Sequence, residues 1–262
     1  MKFTILRFDE IDSTNTEALN QAKRGAAEGL CVAARQQTAG RGRKGRVWVS
    51  EKDAGIYFSL VLRPKIEMRF LPLITLMAAV AAHDALETLY KIDCDIKWVN
   101  DIHVAGKKIC GILAETTDTA NGLAVVVGIG INLKQTNFPP EISETATSLE
   151  AAAGNPPDSE ILLQKLTFFL SRYCAIMYGA NGAEKIRDEW TRRSTYAFGK
   201  RVKVLLENET IRGTTQGIEE NGALRVALDS GEIRTVHAGD VEQLREDSPP
   251  RHEEHKEIIK KS

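Results

Sequence analysis

The sequence predicts an α+β protein in which a mixed-sheet domain is followed by a small all-β unit. Strand-like and helix-like segments come in blocks, without the regular βαβ alternation that builds a doubly wound sheet. From about Gly199 the texture changes: Leu224, Val226 and Leu228 alternate strictly, and Asn221-Gly222 and Ser230-Gly231 mark tight hairpin turns. A chain of 262 residues has room for one sizeable domain plus a small one, so the expected division is 1–195, 196–246 and a tail, 247–262.

Taken in order, Thr4 to Phe8 reads as a short strand. Asp12-Ser13-Thr14-Asn15 is a cluster of helix-capping residues, and Glu17 lies where a capping box with Thr14 would need it, before a helix to about Arg24. Leu30 to Ala34 reads as a buried strand. Gln36 to Ser50 holds three glycines and four cations, with almost nothing apolar before Val47-Trp48-Val49, so it reads as a loop. Ile56 to Leu62 is another strand. Pro72 sits near a helix start, where its missing N–H costs little, and that helix should run to about Tyr90. Ile92 to Trp98, Ile102 to Val104, Cys110 to Thr116 and Leu123 to Leu133 read as strands turned at Gly106 and Asn121-Gly122. Asp158 or Ser159 should cap a helix with the stripe Leu162, Leu166, Phe169 and Tyr173, and a second helix follows from about Ala183 to Arg193. The tail is Pro-rich and charged with only Ile258-Ile259 to bury, so disorder is expected there.

Composition narrows the function classes. A formal net charge of -1 supplies no global field toward nucleic acid or acidic membranes, so any basic patch must be local. The four cysteines and five histidines show no metal-ligand spacing, and buried reduced thiols in a cytoplasmic protein are expected. The uncharged stretch Phe70 to Ala82 is 13 residues and is interrupted by Pro72, which reads as a buried helix in a soluble protein.

Three segments carry chemistry. In Gly40-Arg41-Gly42-Arg43-Lys44-Gly45-Arg46 the alternation lets backbone approach a ligand while guanidinium forks converge on phosphate or carboxylate oxygens. It is not a P-loop, because Arg46-Val47 stands where Lys-Ser/Thr would be; a solvated loop or a nucleic-acid contact reads equally well from this segment alone. In Lys97-Trp98-Val99-Asn100-Asp101 and Lys108-Ile109-Cys110-Gly111-Ile112-Leu113-Ala114-Glu115, lysines sit within apolar strand patterns. An ion pair of Lys97 with Asp95 or Asp101 is the plain structural alternative. Gly128-Ile129-Gly130-Ile131-Asn132 lacks the third glycine and following helix of a dinucleotide fingerprint, so its glycines should mark close approach of a ligand or another chain segment.

These segments, with Asp12 to Asn15, resemble the biotin–protein ligase (holocarboxylase synthetase) family, whose D-S-T-N, G-R-G-R-x-G, K-W-x-N-D, K-x-x-G-I-L-x-E and G-x-G-I-N motifs stand here in that order. The resemblance covers roughly residues 1 to 195, and the small β unit follows as in the family. It implies a mixed-sheet catalytic domain of the biotin/lipoate ligase type and a small SH3-like β-barrel. Val99 stands where the family often has proline, a change expected to leave Asn100 and Asp101 usable. Bifunctional members carry an N-terminal DNA-binding domain; because the motifs begin within a dozen residues here, a ligase alone is expected.

The resemblance implies that biotin's carboxylate attacks the α-phosphate of ATP, and that a carrier lysine then attacks the biotinyl-adenylate. Bringing one anion onto another costs on the order of 4 kcal/mol per charge pair at about 4 Å, so cations must converge. Lys108 is the candidate bridge between carboxylate and α-phosphate, with Arg41 and Arg43 holding oxygens and Mg2+ offsetting the triphosphate, held mainly by the phosphates themselves. Ser13, Thr14, Asn15 and Gln37 suit the ureido ring of biotin, which both gives and takes hydrogen bonds. Gly40, Arg41, Lys108 and Gly111 complete the expected biotin site, and Arg43, Trp48, Asn100, Asp101 and Asn132 the nucleotide site. The loop from Thr38 to Arg46 is expected to be mobile and to close over the adenylate. A biotin carboxyl carrier domain of a biotin-dependent carboxylase is the expected partner, without nucleic acid or membrane, and the family allows monomer or homodimer. A lipoate–protein ligase and a non-catalytic biotin sensor are the alternatives.

Overall fold

The computed structural model describes residues 1–134, 138–155 and 157–243; the tail expected to be disordered, 247–262, lies outside the described residues. The first strand, β1 (Thr4–Ile11), runs into a helix at Ser13, whose extended backbone and hydroxyl, accepting from the Thr16 amide at 3.4 Å, make it the cap of α1 (Thr14–Lys23). The expected Thr14–Glu17 box therefore does not form. Glu17 instead accepts from Gln21 at 2.6 Å, one turn on, which leaves the Thr14 hydroxyl for other work.

β2 (Leu30–Gln37) lies parallel to β1, and every other ladder of the large sheet is antiparallel. β3 (Gly55–Leu62) is apolar and buried on both faces, as its unbroken run of large residues requires at the centre of a sheet. β4 (Cys94–Lys97), β5 (Asp101–Val104), β6 (Lys107–Thr119) and β7 (Gly122–Asn132) complete the order β1-β2-β3-β7-β6-β5-β4. The strand expected from Ile92 to Trp98 shortens to four residues, because β5 meets β4 in a tight antiparallel pairing of Lys97 with Asp101.

One face of this sheet carries α1, packed through Ala18 and Ala22 on Val32, Val61, Ala124 and Val126. The other face carries α2 (Leu73–Tyr90), backed by α3 (Leu149–Ala153), α4 (Ser159–Met177) and α5 (Gly182–Arg193) in one continuous core. α2 is long and apolar enough to cross a membrane by length and composition alone. Yet 72% of that window is buried inside the fold, where it is the central core helix. Asp158 caps α4 by accepting from the amides of Glu160 and Ile161 at 2.9 and 3.0 Å. The short α3 had no clear periodicity in the sequence; Ser148 caps it by accepting from Ala151 N at 3.4 Å. All four cysteines are buried and unpaired, and burial pushes Cys31, Cys94 and Cys174 up to about 12, so they are inert thiols.

The C-terminal unit is a five-stranded antiparallel sheet of β8 (Phe198–Leu205), β9 (Thr210–Ile218), β10 (Leu224–Leu228), β11 (Ile233–Val236) and β12 (Asp240–Gln243), ordered β11-β10-β9-β8-β12. Among the described residues no ladder joins β11 to β12, so its curvature is not closed by backbone pairing. Two contacts seat it on the larger sheet domain. Trp98 Nε1 donates to Gly222 O at 2.9 Å, and Gly222 lies against Leu73 and Leu76 of α2. Asp240 at the start of β12 meets the basic loop.

Candidate active site

The register across the sheet assembles the site. Lys97 lies opposite Asp101, Asp101 opposite Gly111, and Gly111 opposite Gly130, so four strands present one row of residues to the same region. Above this row the loop after β2 folds back on itself, with Gly42 N donating to Arg46 O at 2.7 Å and Trp48 N to Gly40 O at 2.9 Å. That fold lays the Trp48 ring across Gly111 and Gly130. A methyl on Gly111 would stand 2.9 Å from the ring, and one on Gly130 would overlap it. The glycines of β7 thus mark close approach, as the sequence suggests: Gly130 admits Trp48 and Gly128 admits Asn15.

Under Trp48 is a polar cavity of about 50 Å3, room for only a few waters, lined by Ser13, Thr14, Asn15, Gln37, Arg41, Arg43, Lys108 and Gly111 among others. Its floor is a connected network. Thr14 donates through both N and Oγ1 to Gln37 Oε1, at 2.8 and 3.1 Å, and Gln37 Nε2 donates to Ser50 Oγ at 2.8 Å. Ser59 Oγ lies within hydrogen-bond distance of Thr14 Oγ1 and Asn15 Oδ1, at 2.8 and 2.6 Å, while Asn15 Nδ2 donates to Leu113 O and Glu115 Oε2. Satisfied groups of this kind hold fixed donor and acceptor directions, which is what recognition of a small polar ring needs. Trp48 Nε1 is buried with no partner and points to a missing acceptor.

Beyond Trp48 opens a cavity of about 520 Å3, walled by the basic loop, the turn from β4 to β5, residues 138–146 and β12. Arg43, Trp48, Asn100 and Lys108 line both cavities. Arg43 Nη1 donates to Asn100 Oδ1 at 2.8 Å, and Asn100 Nδ2 donates to Ile112 O at 2.9 Å. Lys108 Nζ lies 2.7 Å from Asp101 Oδ1. Arg41 pairs with Glu115. Asn132 lines the larger cavity only, with its side chain donating to Thr147 O at 3.0 Å. Gly40 lines neither; a methyl there would strike Ser50 Oγ at 2.7 Å, so its part is to let the loop cross.

Two expectations change. Lys97 makes no ion pair with Asp95 or Asp101 among the described residues, because Asp95 accepts from Thr195 N and Oγ1, at 2.8 and 2.6 Å, and Asp101 is taken by Lys108. The loop was expected to be mobile for want of apolar anchors; polar contacts tie it in this structure. Arg46 and Lys44 lie 2.7 and 3.4 Å from Asp240, and Arg43 and Arg41 hold the other side.

Sequence reasoning missed Ser59, Glu115 and Asp240. A lone serine in the apolar run Ile56 to Leu62 was the signal for the first, and the end of the K-x-x-G-I-L-x-E strand for the second. Nothing marked Asp240, which the fold brings from 194 residues away.

The sequence model of the biotin/lipoate A/B protein ligase family matches residues 8–132, and that of the biotin protein ligase C-terminal domain matches residues 197–243. The bifunctional ligase/repressor BirA of Bacillus subtilis is 37% identical over 244 residues, covering 91% of this chain and 73% of that protein. The biotin–[acetyl-CoA-carboxylase] ligase of Paracoccus denitrificans is 35% identical over 224 residues, covering 81% of this chain and 90% of that one. Among solved structures, the biotin protein ligase of Aquifex aeolicus in complex with biotin and ATP superposes with a TM-score of 0.80 at 30% identity, over 94% of this chain and 100% of that one.

Proposed function

The chain belongs to the biotin/lipoate A/B protein ligase family, and from that premise we propose that it joins biotin to ATP as biotinyl-5′-adenylate and passes the biotinyl group to a carrier lysine. The observation that carries the reading is the position of Lys108, which lines both the enclosed polar cavity and the larger charged one. The polar lining of the first, Ser13, Thr14, Asn15 and Gln37, matches the donors and acceptors of biotin's ureido ring, and the second has room for ATP phosphates and purine. The anionic end of one substrate and the α-phosphate of the other then meet at the Lys108 ammonium.

In the first step a carboxylate oxygen bonds to the α-phosphorus, and the bond to the bridging oxygen of pyrophosphate breaks. Lys108 leaves Asp101 and lies between the two anions; Arg43 and Arg41 hold the remaining oxygens. Asp101, freed of its lysine, would offer a carboxylate oxygen that suits a hard cation. Magnesium bound there and to the phosphates would screen the triphosphate charge. In the second step the carrier amine attacks the acyl carbon and AMP leaves. The loop closed by Trp48 keeps water from the mixed anhydride between steps.

We assign the carrier as a biotin carboxyl carrier domain of a biotin-dependent carboxylase. Four buried thiols support a reducing, cytoplasmic setting. β6 pairs with β5 only through Gly111, so its outer half has one open edge, and that edge supports a homodimer. The test of the reaction is pyrophosphate release from ATP and magnesium with biotin or lipoate and no carrier. Biotin-dependent release is expected. Release with lipoate alone would overturn the substrate, and tight biotin binding without release would mean a sensor.

A further inference from the structure

The lining of the larger cavity divides by chemistry. Val49, Phe138, Ile142 and Ala146 give one apolar part, suited to a purine; Lys97, at the end of β4, gives the other its charge. The cations around the site are otherwise engaged. Arg41 is held by Glu115, Arg43 by Asn100, Lys44 and Arg46 by Asp240, and Lys108 by Asp101. Among the described residues Lys97 alone of this group has no hydrogen bond or ion pair.

The carboxylates that might serve it are taken. Asp95 accepts from Thr195, Asp101 and Asp240 have the partners just named, and Glu242 of β12 lies 3.2 Å from Lys203. A half-buried ammonium without a partner is costly, and the cost is relieved when an anion occupies the site. Position says which anion. Lys97 lies two strands from Gly111 in the row, so its Cα is about 10 Å from that of Gly111 at ~4.8 Å per strand. The Lys108 ammonium sits over Gly111, 3.1 Å from where a methyl there would stand. The Lys97 backbone thus lies about two strand spacings from the Gly111 position beneath the Lys108 ammonium, and both lysines line the same cavity.

We propose that Lys97 seats the pyrophosphate leaving group, holding the β- and γ-phosphates while Lys108 holds the α-phosphate. This rests on the adenylation reading above. As the α-phosphorus bonds to the carboxylate oxygen, the electron pair of the breaking P–O bond stays on pyrophosphate. Lys97 remains protonated and neutralises that charge, so it acts on the forward step and on its reversal by pyrophosphate, and not on transfer to the carrier.

The experiment compares wild type with Lys97→Met and Lys97→Arg in three assays: adenylation, the inorganic pyrophosphate concentration that halves its rate, and transfer from synthetic biotinyl-adenylate to a carrier domain. Lys97→Met should raise the half-inhibiting pyrophosphate concentration at least tenfold and slow adenylation, while transfer stays near the wild-type rate; Lys97→Arg should recover most of both losses. An unchanged half-inhibiting concentration, or transfer falling in step with adenylation, would overturn the seat and leave Lys97 a structural role. Should Lys97→Met not fold, Lys97→Gln replaces it. If wild type itself releases no pyrophosphate with biotin, the adenylation reading fails. Calorimetry of inorganic pyrophosphate binding to wild type and Lys97→Met then decides the seat by itself.

Discussion

The Lys108 ammonium rests 2.7 Å from Asp101 Oδ1 and 5.4 Å from the centre of the Trp48 ring. The pair keeps a cation neutralised and oriented at the junction of two cavities until anions arrive to compete for it. Because the lysine is already in place, little reorganisation is needed when charge develops between carboxylate and phosphate.

Lys108→Ala should therefore remove adenylation while leaving the fold intact. Loss of one preorganised group at such a position costs about 10²–10³ in rate. Biotin-dependent pyrophosphate release should fall by that factor at an unchanged melting temperature. A loss of only a few-fold would move the bridging role to Arg41 or Arg43.

Arg43 ties the loop to Asn100 across the mouth shared by both cavities. Arg43→Gly should loosen the closed loop and let the adenylate escape before transfer. Labelling of serum albumin added as a bystander should rise several-fold over wild type. Labelling confined to the carrier, at normal rates, would show that the loop is not the lid.

Gly130→Ala would place a methyl 2.7 Å from Trp48 Nε1 in a strand of otherwise ordinary conformation. Overpacking of this kind costs about 1–3 kcal/mol, and ~1.4 kcal/mol is tenfold in affinity. Biotin affinity, measured by calorimetry, should drop about tenfold or more as the tryptophan is displaced from its roof position.

Acid stability should depend on Asp84, which accepts from Tyr173 Oη at 2.6 Å and from Arg193 Nε at 2.6 Å and lies 3.1 Å from His83 Nδ1, joining α2 to α4 and α5. Burial opposes its ionisation, but His83, Arg193 and Tyr173 outweigh it and hold the carboxyl at about 2, below the ordinary value of 3.8. A depressed folded-state value stabilises the fold above the unfolded value and loses that contribution as pH falls through the folded one. Stability should fall between about pH 4 and pH 2. Asp84→Asn should flatten the curve in that window and destabilise the fold at neutral pH, leaving the Arg193 guanidinium with Glu189 as its carboxylate partner. Urea melts at stepped pH check both; parallel curves for variant and wild type would place the acid transition elsewhere. Although His83, Asp84 and Glu87 come together, Asp84 is committed to Arg193 and Tyr173, so they read as a structural clamp rather than a cation site.

Much of the catalytic centre was legible because its chemistry lies in short contiguous motifs. Gly40 to Gly45 declared a basic, glycine-rich loop, and Lys108 and Gly111 declared a charged strand with room beside it. Lys97 was misjudged for a physical reason: sequence proximity made Asp95 and Asp101 its natural partners, while the Lys108 side chain reaches across β5 to take Asp101 and the α5–β8 turn gives Asp95 to Thr195. The capping role was displaced by one residue, since Ser13 and Thr14 are both competent caps and only the position of Gln37 and Ser59 assigns Thr14 to the site.

The sequence by itself determined the α+β class, the change to a small β unit near Gly199, and the motifs whose residue types suit an anion and a polar ring. Those are properties of local pattern: period, turn chemistry and the spacing of glycine and cation along one strand or loop. The tertiary structure alone decided how the cations are shared. Asp240 reaches the loop from the far end of the chain, Trp48 roofs Gly111 and Gly130 from the loop after β2, and Asp95, Asp101, Asp240 and Glu242 have partners other than Lys97. Charge pairing acts over a few ångströms in space and does not follow sequence order, so who neutralises whom emerges only once the strands are in register.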